Sequence, residues 1–119
     1  MINKDKFKKD LKKRRQARGR AKIFGTQIRP RLVVFRSLKG IYVQLINDET
    51  GTTLASASSR EVKGRDLKKT DVAFKISELI AAKGIKVGIN QVIFDRAGYK
   101  YHGRVKAVGE GARKGGLKF

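Results

Sequence analysis

One segment, FDRAGYKYHGRVKA (Phe94 to Ala107), gathers most of the side-chain types that active sites use. It holds one carboxylate (Asp95), the chain's only histidine (His102), two of its three tyrosines (Tyr99, Tyr101) and four cations (Arg96, Lys100, Arg104, Lys106). A metal-dependent nuclease would need several carboxylates converging on Mg²⁺. Those elsewhere are badly placed for this: Glu61, Asp66 and Asp71 fall in a loop or at a helix start, and Glu78 falls mid-helix. Asp95 is therefore expected to bond Arg96, Lys100 or a backbone N–H of its own turn. Asp95 and His102 could approach across that turn, but a triad also needs an activated nucleophile. None of Ser37, Ser56, Ser58, Ser59 and Ser77 has a nucleophile-elbow context. The glycines Gly98 and Gly103 flank a helix start, yet GYKYHG matches neither the Walker pattern nor G-x-G-x-x-G. What the segment does suit is RNA. Tyr99, Lys100, Tyr101, His102 and Arg104 alternate rings with cations, the mixture that stacks on bases while gripping the backbone. Packing of either tyrosine onto its own domain is the competing role.

Positioning that segment requires a scaffold, and the pattern of apolar residues supplies one. Pro30 biases Arg29 towards extended backbone and marks the entry to a globular part over residues 29–119. LVVFR (Leu32 to Arg36) has the β-branched and aromatic content of a strand. After a loop SLKG, IYVQLI alternates, with Ile41, Val43 and Leu45 on one face and Tyr42, Gln44 and Ile46 on the other. The turn NDETG, with Gly51 free to take positive φ, absorbs Asp48 and Glu49 and leads into TTLASA (Thr52 to Ala57).

From about Thr70 the period changes. Val72, Ala73, Ile76, Leu79, Ile80, Lys83 and Val87 follow helical spacing, with Asp66, Thr70 and Asp71 near the start. Either Gly84 or Gly88 ends this helix, and Gly88 is preferred because Ile89 can fold back on it. QVIF (Gln91 to Phe94) is short and apolar, as a buried central strand would be. Val105, Val108 and Ala112 predict a second helix, weakened by Gly109 and Gly111 and stopped by Gly115 and Gly116. The expected fold is α/β of the α+β kind: a β-β-β-α-β-α sandwich on a mixed sheet. Both helices cover one face and the other is left free.

Charge sets the partner class. The chain has 119 residues and a formal net charge of +20, which a domain of this size does not hold without a polyanion. Nucleic acid is the expected partner, ahead of an anionic membrane surface. Residues 1–31 carry thirteen Lys/Arg and two acids, and the basic arm over residues 1–28 cannot bury enough surface to order alone. It is expected to turn helical when phosphates neutralise it. With no cysteine and one histidine, disulfides and thiolate zinc sites are excluded, and no cofactor is expected. The first residues are charged with no apolar stretch behind them, so a cytoplasmic protein is expected.

Four blocks carry a resemblance. RPRLVVFRS (Arg29 to Ser37), IYVQLIND (Ile41 to Asp48), GTTLASASS (Gly51 to Ser59) and FDRAGYKYHGRVKA resemble the family of bacterial large-subunit ribosomal protein eighteen, the binders of 5S ribosomal RNA. The closing ARKGGLKF is similar to that family's C-terminus, so the resemblance covers nearly the whole chain. It implies a non-catalytic structural role. The protein would hold 5S ribosomal RNA in the central protuberance, beside 23S ribosomal RNA and neighbouring 5S-binding proteins. It also implies that the basic arm lies on RNA, with Arg14, Arg15, Arg18, Arg20 and Lys22 matching the family's arginine-rich segment and Lys12 and Lys13 expected beside them. Arg31, Arg36 and the Arg96 to Arg104 loop, with Tyr99, Lys100, Tyr101 and His102, match the family's other basic motifs, and Arg29 and Lys39 are expected RNA contacts as well. AAKGIKVGIN departs from the family pattern by the mid-helix Gly84.

Overall fold

A computed structural model describes residues 8–11, 13–14, 23–37, 40–62, 68–97 and 99–119. Three strands follow one another as a meander: β1 (Arg31–Arg36), β2 (Ile41–Asn47) and β3 (Thr52–Ser58). A 3₁₀ turn (Ser59–Glu61) leaves the sheet, and helix α1 (Lys69–Lys86) crosses it. Strand β4 (Ile93–Asp95) then pairs parallel to β1, and helix α2 (Arg104–Lys114) closes the chain. The sheet order is β3-β2-β1-β4, a mixed sheet as expected. Residues 8–11 and 13–14 are helical, within the basic N-terminal region.

The core lies on one face of this sheet. Leu32 and Val34 of β1 sit opposite Leu45 and Val43 of β2. With Ile41 and Ala57 they pack on Ala73, Ile76 and Ile80 of α1 and on Val105, Val108 and Ala112 of α2. Burying each large aliphatic side chain there contributes about 1.5–3 kcal/mol. Side chains alternate along a strand, so Arg31, Val33 and Phe35 point to the opposite face, with Tyr42, Gln44 and Ile46 from β2 beside them.

Three local expectations change. QVIF is not a central strand: β4 begins at Ile93 and has β1 as its one strand neighbour among the described residues. The burial that its apolar run signalled comes from the C-terminal tail. Val92 N–H donates to the Lys118 carbonyl at 3.0 Å, Lys118 N–H donates to Asn90 at 2.9 Å, and Leu117 is buried. Val87 is not on the apolar face of α1 but is 60 % exposed as its C-cap. Gly109 and Gly111 do not merely weaken α2. A Cβ on Gly111 would lie 2.5 Å from the Phe74 carbonyl oxygen, and one on Gly109 would lie 2.6 Å from the Tyr101 hydroxyl. Their bare backbones are what let α2 lie on α1 and under the tyrosine.

The end of α1 is as expected. Gly88 adopts φ +89°, its N–H donates to Ile85, and the Ile89 N–H reaches back to Gly84 at 2.8 Å. This is a Schellman ending, with Ile89 buried behind it. Gly84 stays helical, and a Cβ there would sit 3.0 Å from Leu45.

Candidate nucleic-acid interface

The start of β1 is closed on itself. Arg31 is carried on the helix-free face, and its guanidinium bridges two carboxylates. Nε and Nη2 donate to Asp48 at 3.0 Å each, and Nη1 donates to Asp95 at 2.8 Å. The Arg31 side chain is only 12 % exposed and that of Asp95 5 %. The hydrogen bond to Asp48 chiefly holds the guanidinium charged, above its ordinary pKa, while burial opposes it. Asp48 Oδ2 also accepts the Gly25 N–H at 2.7 Å, and Asp48 N–H donates to the Gly25 carbonyl, so the chain ahead of Pro30 is tied to the end of β2. Asp95 Oδ1 accepts the Ala97 N–H at 2.9 Å. That bond braces Ala97 in a left-handed conformation (φ 53°) that is uncommon outside glycine. Asp95 thus does bond a turn N–H as expected, but its cation is Arg31, not Arg96 or Lys100. No group of three or more potential metal ligands occurs among the described residues.

The other end of β1 is built differently. The Arg36 guanidinium lies over the Tyr99 ring, 4.7 Å from its centroid, and makes no ion pair among the described residues. Tyr99 Oη donates to the Arg36 carbonyl at 3.2 Å, and Arg104 Nη1 donates to the Ser37 carbonyl at 3.2 Å. These bonds pin the segment between β4 and α2 against the end of β1. Tyr101 stands edge-on to Phe94 with ring centroids 5.9 Å apart, and its ring lies over Gly109. Both tyrosines therefore pack onto their own domain. Arg96, Lys100 and His102 are exposed around them.

Between these ends the helix-free face of the sheet is open at Phe35, Tyr42 and Gln44, while Val33 beside them is fully buried. Phe35 and Tyr42 are direct cross-strand partners and stack at 4.7 Å with 15° between ring planes. Gln44 and Ser56 form the next row, and Ser58 sits opposite Tyr42. They line an open trough of about 700 Å³ that wraps the end of the sheet, with Arg36 and Tyr99 among its walls from the helix side, and Arg60, Glu61 and Lys83 at the β3 side. Lys83 Nζ donates to Glu61 at 2.7 Å and to the Ser56 carbonyl at 2.8 Å. That contact, with a further bond from Ser58 N–H, holds the Glu61 carboxylate below its ordinary pKa.

The structure thus brings Arg36, Arg96, Tyr99, Lys100, Tyr101, His102 and Arg104 into one neighbourhood and leaves Arg31 outside it, engaged with Asp48 and Asp95. Lys13 and Arg14 are exposed on the N-terminal helical residues, and Arg29 is exposed beside Pro30. Lys12, Arg15, Arg18, Arg20, Lys22 and Lys39 lie outside the described residues. The sequence reading of candidates passed over Phe35, Tyr42, Gln44, Ser56 and Ser58. The alternation in IYVQLI, which puts Tyr42 and Gln44 opposite the core, is the signal that could have found them.

The sequence is similar to known proteins along its whole length. Residues 6–119 match the family described as ribosomal L18 of archaea, bacteria, mitochondria and chloroplasts. The chain is 52% identical over 122 residues to the large ribosomal subunit protein uL18 of Chloroherpeton thalassium, covering 100% of both chains. It is 53% identical over 113 residues to the protein of that name from Listeria monocytogenes, covering 94% of this chain and 95% of the relative. Over 111 residues it is 52% identical to the uL18 of Dehalococcoides mccartyi, covering 88% and 90%. These matches span the meander, both helices and the cationic segment together, so the chain belongs to the ribosomal L18 family, as a structural protein of the large ribosomal subunit and not an enzyme.

Proposed function

We propose that this protein binds 5S ribosomal RNA in the central protuberance of the large subunit. There it also touches 23S ribosomal RNA and neighbouring 5S-binding proteins, within cytoplasmic ribosomes. The observation that carries this reading is family membership over residues 6–119 in a chain whose net charge is +20. Within the proposed division, residues 1–28 act as an RNA-binding arm and residues 29–119 as the globular domain. The arm's Lys12, Lys13, Arg14, Arg15, Arg18, Arg20 and Lys22 neutralise phosphates. Arg29, Arg36, Lys39, Arg96, Lys100 and Arg104 do the same on the domain. Affinity comes mainly from these phosphate contacts and selectivity from RNA shape.

The test is a salt series with the full chain on 5S ribosomal RNA, with duplex DNA as competitor. Neutralising about six phosphates gives a slope of log K against log salt of about −4 to −5. Deleting residues 1–22 should flatten that slope while the far-ultraviolet circular dichroism of the domain persists. An unchanged slope removes the arm from the interface. Duplex DNA competing as well as 5S ribosomal RNA at physiological salt overturns the reading.

A further inference from the structure

We infer that the trough, where it opens at Tyr42 on the helix-free face of the sheet, seats an unpaired nucleotide of the bound RNA, its base stacked on Tyr42. This rests on the reading of the chain as a ribosomal RNA-binding protein and adds the kind of RNA element it takes.

The ring is prepared for such a contact. Tyr42 is 42 % exposed although it sits mid-sheet, and Phe35 supports it from the neighbouring strand at 4.7 Å. One ring braced by another is a rigid platform, and a base has an apolar face to lay on it. Beside the platform, the Gln44 amide makes no hydrogen bond among the described residues. It offers both a donor and an acceptor to a base edge. Ser56 adds a hydroxyl in the same row. The volume, about 700 Å³, falls in the usual range of about 300–1,000 Å³ for small-ligand pockets.

Charge selects the occupant. Arg36 and Arg60 on the rim make no ion pair among the described residues, and Glu61 is neutralised by Lys83. The lining therefore has an excess of cations around an apolar platform. That combination fits a base with its phosphates at the rim, whereas a neutral protein surface would leave those guanidinium groups without counter-charge. A base inside a duplex has its faces covered by its neighbours, so the nucleotide must be unstacked: a bulge, a loop or a strand end.

The experiment uses the full chain with 5S ribosomal RNA and, in parallel, total ribosomal RNA. Tyr42→Leu keeps an apolar side chain and removes the platform; it should weaken binding about tenfold. Its salt slope should stay that of the wild type, since no phosphate contact is lost. Tyr42→Phe keeps the ring and should bind as the wild type does. Gln44→Ala, a milder change to the fold, should weaken binding several-fold. Ultraviolet cross-linking with mass spectrometry should place a nucleotide adduct on the β2 segment. An adduct with total ribosomal RNA, where 5S ribosomal RNA alone fails to bind, would retain the trough and sink the 5S reading. Wild-type affinity of folded Tyr42→Leu, with no adduct on β2, overturns the trough. So does a Tyr42→Leu variant that binds RNA normally but loses association with another ribosomal protein.

Discussion

The two ends of β1 carry an arginine each, about 17 Å apart by strand geometry, and the protein uses them in opposite ways. At Arg31 the cation meets Asp48 and Asp95, and its side chain is 12 % exposed. At Arg36 the cation meets an aromatic ring and solvent. A sequence motif that reads as two basic residues around an apolar strand thus contains one structural cation and one available cation. Positive charge is free to meet a polyanion only where the fold has not already supplied its counter-ion.

Removing the closed end should have the largest effect. Arg31→Met takes the shared cation from two carboxylates, one of them nearly buried, and should destabilise the protein by about 3 kcal/mol. It should also loosen the Gly25 segment, which is held through Asp48. Urea unfolding is the measurement, with the midpoint moving and the m-value constant. Where the variant remains folded, its salt slope on RNA should match the wild type. A shallower slope at unchanged stability would make Arg31 an RNA contact and erase the contrast between the two ends.

That contrast was hidden in the sequence for a definite reason. The three meander strands, α1 and its Gly88 ending are written in local periodicity and in turn residues, and they lie where those signals put them. The partners of Arg31 are 17 and 64 residues away, so nothing near RPRL marks its guanidinium as already engaged. The same holds for β4. Its apolar run reports burial but not what buries it, and the cover is Leu117 and the tail rather than another strand. Gly109 and Gly111 read only as weakening the helix because propensity is local. Their value lies in the close approach of Phe74 and Tyr101, which depends on tertiary structure. Of the candidate interface, the cations and rings of the segment before α2 were legible as types. The trough was not, because it needs β1, β2 and β3 in register.

The open end should respond in the opposite sense. Arg36→Ala removes one cation and its contact with Tyr99, so stability should fall by less than about 1 kcal/mol. Affinity for 5S ribosomal RNA should drop about five- to tenfold, and the salt slope should become shallower by about one unit. Isothermal titration at two salt concentrations reads both. A stability loss as large as that of Arg31→Met, with affinity kept, would show that Arg36 is structural too.

The smallest effect sharpens the comparison from the acid side. Glu61 is the one carboxylate among the described residues lining the trough. Its pKa is lowered, first by the hydrogen bond from Lys83 and then by the Ser58 N–H. A depressed folded pKa contributes stability that is present above the unfolded value and lost as pH falls through the folded value. The pair is well exposed, so this contribution should be under about 0.5 kcal/mol. Glu61→Gln should remove that part of the acid-side slope below the ordinary carboxylate range, as followed by thermal unfolding against pH. The same variant frees Lys83 and leaves the trough wholly cationic, so RNA affinity near neutral pH should rise, by about twofold. At the Arg31 end, neutralising a carboxylate, as in Asp95→Asn, removes the partner of a shielded guanidinium and should lower stability with no gain in affinity. Opposite signs from the same chemical change, carboxylate to amide, would separate an end of β1 that holds the fold from one that holds RNA.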